Sequence, residues 1–359
     1  MTARLRVVDS GLRSARENLA MTEALCQRRR ANLSPDTLRF QHFSPSAIIG
    51  RHQHLASEVN LEWVHAQGVE TARRMTGGGG IVMGPGILGW ELIVSLALVP
   101  KTLAEVSAVL CTGIAKGLSA LGIDAAFRPR NDIEVAGRKI SGTGGYFDGP
   151  CLVFQGTVLM VLDYELLTKA LHLPAHKLGK RGLDTLAGRV CDIQSLLDPM
   201  PGIALVETVL AEGLANALGV EFEWGALTPE EEREAKSLYA QTLGTDAFVT
   251  GTYEAFARSG TIHQISHITS GGMIDVALKM RDGAAGLIEQ ILISGDFFVS
   301  PPRIIADLEA HLRHMPVKNI EAAAAAFLRA GEAAFLGMNA DDICLALKET
   351  TLLADQGAP

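Results

Sequence analysis

The stretch Arg73-Arg74-Met75-Thr76-Gly77-Gly78-Gly79-Gly80 decides how the rest of this sequence is interpreted. Glycines lack a Cβ atom, so a ligand can approach their backbone N–H groups closely. The two arginines before them supply fixed positive charge with planar arrays of donors. Strand-like segments flank the run, at Val69–Ala72 before it and Trp90–Leu98 after it, which disfavours a flexible linker. The run therefore predicts a loop that binds an anion, most simply a phosphate or a phosphoryl ester.

A second stretch, Asn131–Gly142, places a carboxylate, a lysine and a hydroxyl on two short predicted strands joined by a turn at Gly137-Arg138. A lysine held rigidly on a strand can stabilise negative charge that develops in a transition state. Near a phosphate at about 4 Å, it contributes up to about 4 kcal/mol at an effective dielectric constant near 20. Taken alone, however, the stretch is more simply an ordinary hairpin with a solvated lysine and aspartate.

Two well-known nucleotide-binding patterns are missing from the sequence. There is no Gly-x-x-x-x-Gly-Lys-[Ser/Thr] segment, so this is not a P-loop protein. The glycine run does not fit Gly-x-Gly-x-x-Gly, because Val82 or Met83 occupies the third glycine position. Gly142-Thr143-Gly144 fails in the same way at Phe147. A nicotinamide-dependent enzyme is therefore disfavoured.

The composition is that of a globular protein, and its 359 residues are enough for two domains. The net charge of -8 argues against a broad nucleic-acid-binding surface. We expect no signal peptide and no membrane span, because no run of about 18 apolar residues occurs. The five cysteines are scattered and include no Cys-x-x-Cys pair, which disfavours disulfides and structural zinc. A cytoplasmic location is expected.

Helix signals alternate with short apolar runs along the first two thirds of the chain. The clearest helix is predicted from Thr102 to Leu121, because Thr102 and Glu105 have capping-box spacing and Gly122 supplies a left-handed stop. The fold class expected from this alternation is α/β, with mixed β-sheets flanked by helices.

A change in composition indicates a domain boundary. Residues 244–262 contain several glycines and few apolar runs. Beyond them, two alternating segments flank Arg281-Asp282-Gly283 and predict a hairpin. We therefore expect one domain over residues 1–248 and a small α+β domain over residues 249–359.

Five segments together resemble the lipoate–protein ligase A family. Four of them come in that family's order and at its spacing: Arg73–Gly79, Asn131-Asp132-Ile133, Gly137–Gly142 and Gly156-Thr157-Val158-Leu159. The fifth, Gly295-Asp296-Phe297-Phe298, resembles a motif in the family's C-terminal accessory domain. The resemblance covers nearly the whole chain. It implies that the first predicted domain is catalytic and that the second is the accessory domain.

The resemblance implies a two-step reaction that uses ATP and Mg²⁺. The carboxylate of lipoate attacks the α-phosphate of ATP and gives lipoyl-AMP and pyrophosphate. The ε-amine of a lysine on a lipoyl-carrier protein domain then attacks the mixed anhydride. Neither nucleic acid nor a membrane takes part.

The resemblance also implies roles for individual residues. Lys139 matches the family lysine that contacts both the acyl carbonyl and the phosphate, so it is the expected catalytic residue. Asp132 is the expected Mg²⁺ ligand. The residues expected to bind the substrate and the nucleotide are Arg73, Arg74, Thr76, Gly77, Gly78, Gly79, Asn131, Asp132, Ser141, Gly142, Gly156 and Thr157. The segment Lys180–Arg189 is expected to fold over the adenylate. The residues expected to line an apolar slot for the lipoyl tail are Ile81, Val82, Trp90 and Val153.

Two positions depart from the pattern of this family. Many relatives have His-Asp where this sequence has Met83-Gly84, and many have His where it has Gln155. Both changes remove imidazoles from the edge of the expected site. They bear on the orientation of the acyl donor and on the choice of acceptor.

Two alternative functions stay open. An acyltransferase of the same fold would move octanoyl or lipoyl groups between carrier proteins through a cysteine thioester, with Cys151 or Cys191 as the nucleophile. Arg189 is close enough in sequence to lower the pKa of the Cys191 thiol, whereas Cys151 opens an apolar strand and is more simply structural. The other alternative is a non-catalytic lipoyl-carrier-binding protein that kept the fold.

Overall fold

A computed structural model describes residues 3–172, 188–251, 256, 262–281 and 286–356, with the backbone alone at 354–356. The strands are β1 (Arg4–Arg13), β2 (Thr37–Phe43), β3 (Ser46–Ile49), β4 (Glu70–Arg73), β5 (Ile81–Met83), β6 (Ile87–Ser95), β7 (Ala125–Arg128), β8 (Asp132–Val135), β9 (Arg138–Asp148), β10 (Cys151–Leu159), β11 (Glu221–Trp224), β12 (Ile262–Thr269), β13 (Gly272–Met280), β14 (Ile288–Gly295), β15 (Val299–Ser300) and β16 (Ala334–Phe335). The α-helices are α1 (Ala15–Arg30), α2 (Leu55–Glu58), α3 (Leu61–Ala66), α4 (Leu103–Ala120), α5 (Tyr164–Ala170), α6 (Ile193–Leu196), α7 (Ile203–Leu218), α8 (Pro229–Leu238), α9 (Asp246–Thr250), α10 (Ile304–Leu312), α11 (Ile320–Ala330) and α12 (Ala340–Gln356).

The main sheet has eight strands over the described residues, in the order β11-β1-β2-β6-β10-β9-β8-β7. It is mixed, because β1 runs parallel to both of its neighbours while the strands from β2 to β7 pair antiparallel. The α/β class with mixed sheets flanked by helices, predicted from the sequence, is therefore confirmed. Strands β1 and β2 were not predicted, although both carry fully buried residues.

Helices cover both faces of the main sheet. On one face, α4 and α7 pack over a large apolar core. On the other face, α1 and α8 pack over a smaller core that includes Ile93 and Val153. The predicted helix start at Thr102 is confirmed, because its side chain and that of Glu105 form a reciprocal capping box. Length and hydropathy alone would allow α4 to cross a membrane, but 56% of it is buried and it packs against α7.

A second, three-stranded sheet carries the glycine run. Its order is β4-β3-β5, with β3 parallel to β4 and antiparallel to β5. Strand β3 is therefore its central strand. The chain leaves β4 at Arg73 and enters β5 at Ile81, so the residues between them form a loop that passes from one edge of β3 to the other. We call residues 74–80 the glycine loop.

The C-terminal part of the chain has a hydrophobic core of its own. The sheet β12-β13-β14 packs with α10, α11 and α12 around this core. The predicted hairpin is present as β13 and β14, while residues 282–285 of its turn lie outside the described residues. The boundary expected at residues 248 and 249 stays a prediction.

Candidate active site

A cavity of about 1010 Å³ opens between the main sheet, the glycine loop and the C-terminal region. The predicted site residues that line it are Arg74, Thr76, Gly79, Asn131, Asp132, Lys139, Gly142, Gly156 and Thr157. Four predicted residues are not among its described lining residues, namely Arg73, Gly77, Gly78 and Ser141. Of the predicted covering segment Lys180–Arg189, residues 180–187 lie outside the described residues, and Arg189 lines the cavity.

Lys139 forms an ion pair inside this cavity. Its Nζ lies 2.6 Å from Oδ1 of Asp132, and both side chains remain partly open to solvent. Asp132 pairs with Gly142 across β8 and β9, and the lysine side chain folds back over that glycine. A Cβ atom at residue 142 would lie 2.6 Å from Lys139 Nζ. Glycine at position 142 therefore leaves the space that the lysine tip occupies.

The backbone of Lys139 is held from both sides. The pairing of β8 with β9 shifts register between Ile133 and Glu134, opposite the lysine. Such irregularities commonly redirect a side chain beside an active site. On the other side, Lys139 N–H donates to the carbonyl of Arg189 at 2.8 Å, and Cys191 N–H donates to the carbonyl of Lys139 at 2.9 Å. The lysine is therefore presented to the cavity by a fixed backbone.

Arg74 shapes the glycine loop from inside. Its Nη2 donates to the carbonyl oxygens of Gly77 at 2.7 Å and Gly79 at 2.8 Å, and its Nε donates to Thr76 Oγ1 at 3.0 Å. Burial lowers the pKa of Arg74 to about 10, so the guanidinium stays charged at neutral pH. Its charge lies at the cavity wall while its donors set the path of the loop.

Arg73 joins three segments of backbone. Its guanidinium donates to the carbonyl oxygens of Gln53 at 2.6 Å, Val249 at 2.8 Å and Arg51 at 2.9 Å. Burial, with a further contribution from Arg51, lowers its pKa to about 10. Since its donors are engaged by backbone carbonyls and Arg73 does not line the cavity, the structure gives it a structural role, while its contact with phosphate stays a prediction.

A chain of buried polar side chains supports the glycine loop from the main sheet. Thr76 Oγ1 donates to Gln155 Oε1 at 3.4 Å, and Gln155 Nε2 donates to Glu91 Oε2 at 3.0 Å. Glu91 also accepts from Thr22 at 2.6 Å and forms an ion pair with Arg39 at 2.7 Å, in which neither side chain is exposed. Gln155 therefore couples the loop to a buried ion pair.

The C-terminal motif, Gly295–Phe298, covers part of the glycine loop. Gly78 N–H donates to the carbonyl of Phe297 at 3.0 Å. A Cβ atom at Gly77 would lie 2.1 Å from that carbonyl oxygen, and one at Gly144 would lie 2.3 Å from the ring of Phe298. Of the three glycines predicted to hold the phosphate, Gly79 is the one that lines the cavity.

His52 supports the contact between Phe297 and the glycine loop. His52 stacks on the ring of Phe297 with centroids 5.0 Å apart. Burial lowers the pKa of His52 to about 3, so the imidazole is neutral at physiological pH. A neutral ring suits this apolar position.

Asn131 ties the start of β8 to β9. Its Nδ2 donates to the carbonyl of Thr143 at 2.5 Å, and its own carbonyl accepts from the N–H and the hydroxyl of Thr143, each at 2.9 Å. The residue also lines the cavity, next to Asp132. Asn131 therefore positions the two strands that carry the ion pair.

The glycine at 156 allows an indole to lie against the backbone. Gly156 pairs with Trp90 across β10 and β6, and a Cβ atom at 156 would lie 2.4 Å from the indole ring. Ser141 is fully buried outside the cavity wall, and its hydroxyl has no hydrogen-bond partner among the described residues.

The apolar part of the cavity agrees with three of the four residues predicted for it. Ile81, Val82 and Trp90 line the cavity. Val153 does not, because it is buried beneath α1 in the smaller core, and this prediction was wrong. The residues that sequence reasoning missed in this wall include Leu19, Phe43, Ile48, Met83, Ile87 and the polar Gln41.

Comparison with known proteins places this geometry in a family. The sequence model of the lipoyl protein ligase A/B catalytic domain matches residues 14–215, which is more than half of the chain. The chain belongs to the lipoyl protein ligase A/B catalytic domain family. The resemblance found in the sequence is thereby confirmed, and the protein is an enzyme of the lipoate ligase and lipoyl transfer type.

An octanoyltransferase and a lipoate protein ligase are both similar to this chain. Octanoyltransferase LipM of Symbiobacterium thermophilum is 28% identical over 269 residues, which cover 68% of this chain and 98% of that protein. A bi-partite lipoate protein ligase from Thermoplasma acidophilum is 25% identical, with a TM-score of 0.62 over 70% of this chain and 97% of that one. LipL1 of P. falciparum, solved with lipoate, shares the fold with a TM-score of 0.69 over 91% of this chain at 16% identity.

The cysteines of this lipoyl ligase family member lie behind the cavity wall and do not form part of it. All five lie in the described part of the chain and are buried, and none lines the cavity. Burial raises the pKa of every one of these thiols. For Cys191 the effect of burial outweighs the positive charge of Arg138, which lowers the pKa of the thiol. The low thiol pKa considered for Cys191 was therefore wrong.

Proposed function

We propose that this enzyme is an ATP-dependent ligase that activates lipoate, or a close acyl analogue, and transfers it to a lysine of a lipoyl-carrier protein. The observation that supports this proposal is the nature of the cavity wall, which presents Lys139 beside Asp132 and no cysteine among its described residues. A cation suits adenylate chemistry, whereas transfer through a thioester requires a reachable thiolate.

In the first step, a carboxylate oxygen of lipoate attacks the α-phosphorus of ATP, and the bond to pyrophosphate breaks. Lys139 would stabilise the negative charge that builds up on the α-phosphate oxygens. Asp132 keeps the ammonium group in place at 2.6 Å before the substrates arrive. The N–H groups and charge at the loop end, near Gly79 and Arg74, would orient the phosphate.

The acidic groups of the cavity are compatible with the use of Mg²⁺. Asp132 and Glu134 both line it, and Mg²⁺ commonly binds one or two carboxylates together with substrate phosphates. Asp132 would be the principal protein ligand. When bound, the ion would neutralise charge on the phosphate groups of ATP.

In the second step, the neutral ε-amine of the carrier lysine attacks the acyl carbonyl, and AMP leaves with the bonding electrons. The amine proton is released to solvent. Lys139 would stabilise the carbonyl oxygen in the tetrahedral intermediate, so the same side chain serves both steps.

The second candidate is an acyltransferase that moves octanoyl groups between carriers. It is favoured by the similarity to octanoyltransferase LipM, which extends over two thirds of the chain. Against it stands the position of Cys191, whose Sγ lies 3.5 Å from the carbonyl of Arg138 and whose pKa is raised by burial.

The two candidates are separated by the acyl donor they use. One reaction would contain the enzyme, lipoate, ATP, Mg²⁺ and an unmodified lipoyl domain, and the other an octanoylated lipoyl domain as donor without ATP. Mass spectrometry of the acceptor domain would measure acylation. The ligase predicts acylation in the first mixture, retained in Cys191→Ser, whereas acylation confined to the second mixture would refute it.

A further inference from the structure

Three neighbouring strands place a row of residues across the floor of the cavity. Gln41 on β2 pairs with Gly89 on β6, and Gly89 pairs with Thr157 on β10. Residues paired in this way point to the same face of a sheet. All three line the cavity. The glycine in the middle carries no side chain, and the ring of Phe43 and the side chain of Gln41 occupy the space over it.

The Gln41 amide is unusual for a largely apolar wall. The residue is 5% exposed, and its Nε2 is buried without a hydrogen-bond partner among the described residues. A Cβ atom at Gly89 would lie 3.2 Å from Gln41 Oε1, so the amide stands over the glycine. The surrounding lining residues include Phe43, Val82 and Ile87. A buried amide left unpaired is costly, so the position favours an occupant that can accept a hydrogen bond.

The same row extends to the catalytic lysine. Gly156 pairs with Thr143, and continuing this register by one residue places Gly142 beside Thr157. The tip of Lys139 lies over Gly142. The lysine tip and the Gln41 amide are thus two strand spacings apart, or about 10 Å. An extended chain of eight carbons, with bonds of about 1.5 Å, spans about 9 Å.

We propose that the acyl chain lies across these strands, with its carboxyl group at Lys139 and its distal end at the Gln41 amide, and that Gln41 selects chains with a hydrogen-bond acceptor at that end. This rests on the proposed function for the identity of the acyl site. The favoured substrate class is an eight-carbon acid with distal sulfur or oxygen, such as one bearing a dithiolane. Plain octanoate would leave the amide unpaired, so Gln41 is a specificity-determining residue.

Equilibrium binding of the free acids tests this selection. Isothermal titration of the full chain would use lipoate, 8-hydroxyoctanoate and octanoate. The expected result is that 8-hydroxyoctanoate and lipoate bind at least about fivefold tighter than octanoate, which follows from the penalty of an unpaired buried amide. Gln41→Leu and Gln41→Met, which remove the amide at similar volume, should strengthen octanoate binding and abolish the preference. Gln67→Leu, the same change at an exposed residue, is the matched control.

Two results would overturn the proposal. One is that the unmodified chain binds octanoate as tightly as it binds lipoate or 8-hydroxyoctanoate. This comparison needs no variant. The other is an unchanged preference in whichever of the two Gln41 variants folds. Because the titration needs no turnover, a preference that depends on Gln41 would stand even if ATP-dependent ligation failed. Conversely, ligation without that preference would refute this inference alone.

Discussion

The carbonyl of Phe297 accepts a hydrogen bond from the N–H of Gly78 at 3.0 Å, which joins the C-terminal motif to the glycine loop. These residues are 219 positions apart, yet they form one contact surface at the edge of the cavity. The ring of Phe298 completes it, since it fills the space that side chains at Gly78 and Gly144 would occupy. Two of the five segments that carry the family resemblance therefore meet in the fold.

Substitution of Gly144 tests this contact. A methyl group at Gly144 would lie 2.3 Å from Phe298 Cε1, so the ring or the strand must move. We expect Gly144→Ala to lower the free energy of unfolding by about 1–3 kcal/mol. In a Phe298→Leu background the same change should cost less. Chemical denaturation of the unmodified chain, the two single variants and the double variant would measure the coupling between residues 144 and 298.

The matched control for this cycle is Gly84→Ala, whose added methyl would meet its neighbours at ordinary contact distances of 3.7 Å or more. An equal cost of Gly144→Ala in both backgrounds would show that the ring does not occupy this space.

Arg73 is expected to matter for stability more than for phosphate binding. Arg73→Met leaves several buried carbonyl groups without donors, so we expect a loss of at least about 3 kcal/mol in the free energy of unfolding. Arg329→Met, at an exposed helix position, should change it by less than about 0.5 kcal/mol. A stable Arg73→Met protein with weakened ATP binding would instead support the phosphate contact predicted from the sequence.

Glu309 is expected to make stability depend on pH. Burial raises its pKa from 4.5 to about 7, although the carboxylate accepts a hydrogen bond from Ile293 N–H at 2.7 Å. Between these values the folded state binds more protons than the unfolded state, so this group lowers stability as pH rises from about 4.5 to about 7. Glu309→Gln keeps an acceptor for the N–H and removes the charge. It should therefore be more stable than the unmodified chain at pH 8, with a smaller difference at pH 4.

Denaturation midpoints at several pH values would measure this effect. Glu62→Gln, at an exposed position, provides the control for loss of one negative charge. A difference between Glu309→Gln and the unmodified chain that stays constant from pH 4 to pH 8 would contradict the account.

Local signals in the sequence predicted much of the fold. The capping box at Thr102 and Glu105 marks α4 within a residue of its observed start, because it depends on groups three positions apart. The hairpin of β13 and β14 was likewise recognisable from alternation of apolar and polar residues. Lys139 was predicted through the family resemblance, because its segment taken alone is more simply an ordinary hairpin.

Features that depend on distant partners could not be predicted. Arg39 is charged and fully buried because Glu91 neutralises it from another strand, so β2 lacks the apolar pattern of a buried strand. Val153 shares a face of β10 with Gln155, but α1 crosses the strand there and covers it. The position of Phe297 on the glycine loop likewise depends on packing between the two parts of the chain.

The most direct test of the central claim is lipoate-dependent ATP–pyrophosphate exchange, measured with Mg²⁺ for the unmodified enzyme, Lys139→Ala and the exposed-site control Lys236→Ala. The account predicts exchange in the unmodified enzyme and in Lys236→Ala, and a loss of about 10²–10³-fold in Lys139→Ala, the range found when a single stabilising donor is removed. Absence of exchange in the unmodified enzyme, or full exchange in Lys139→Ala, would contradict it.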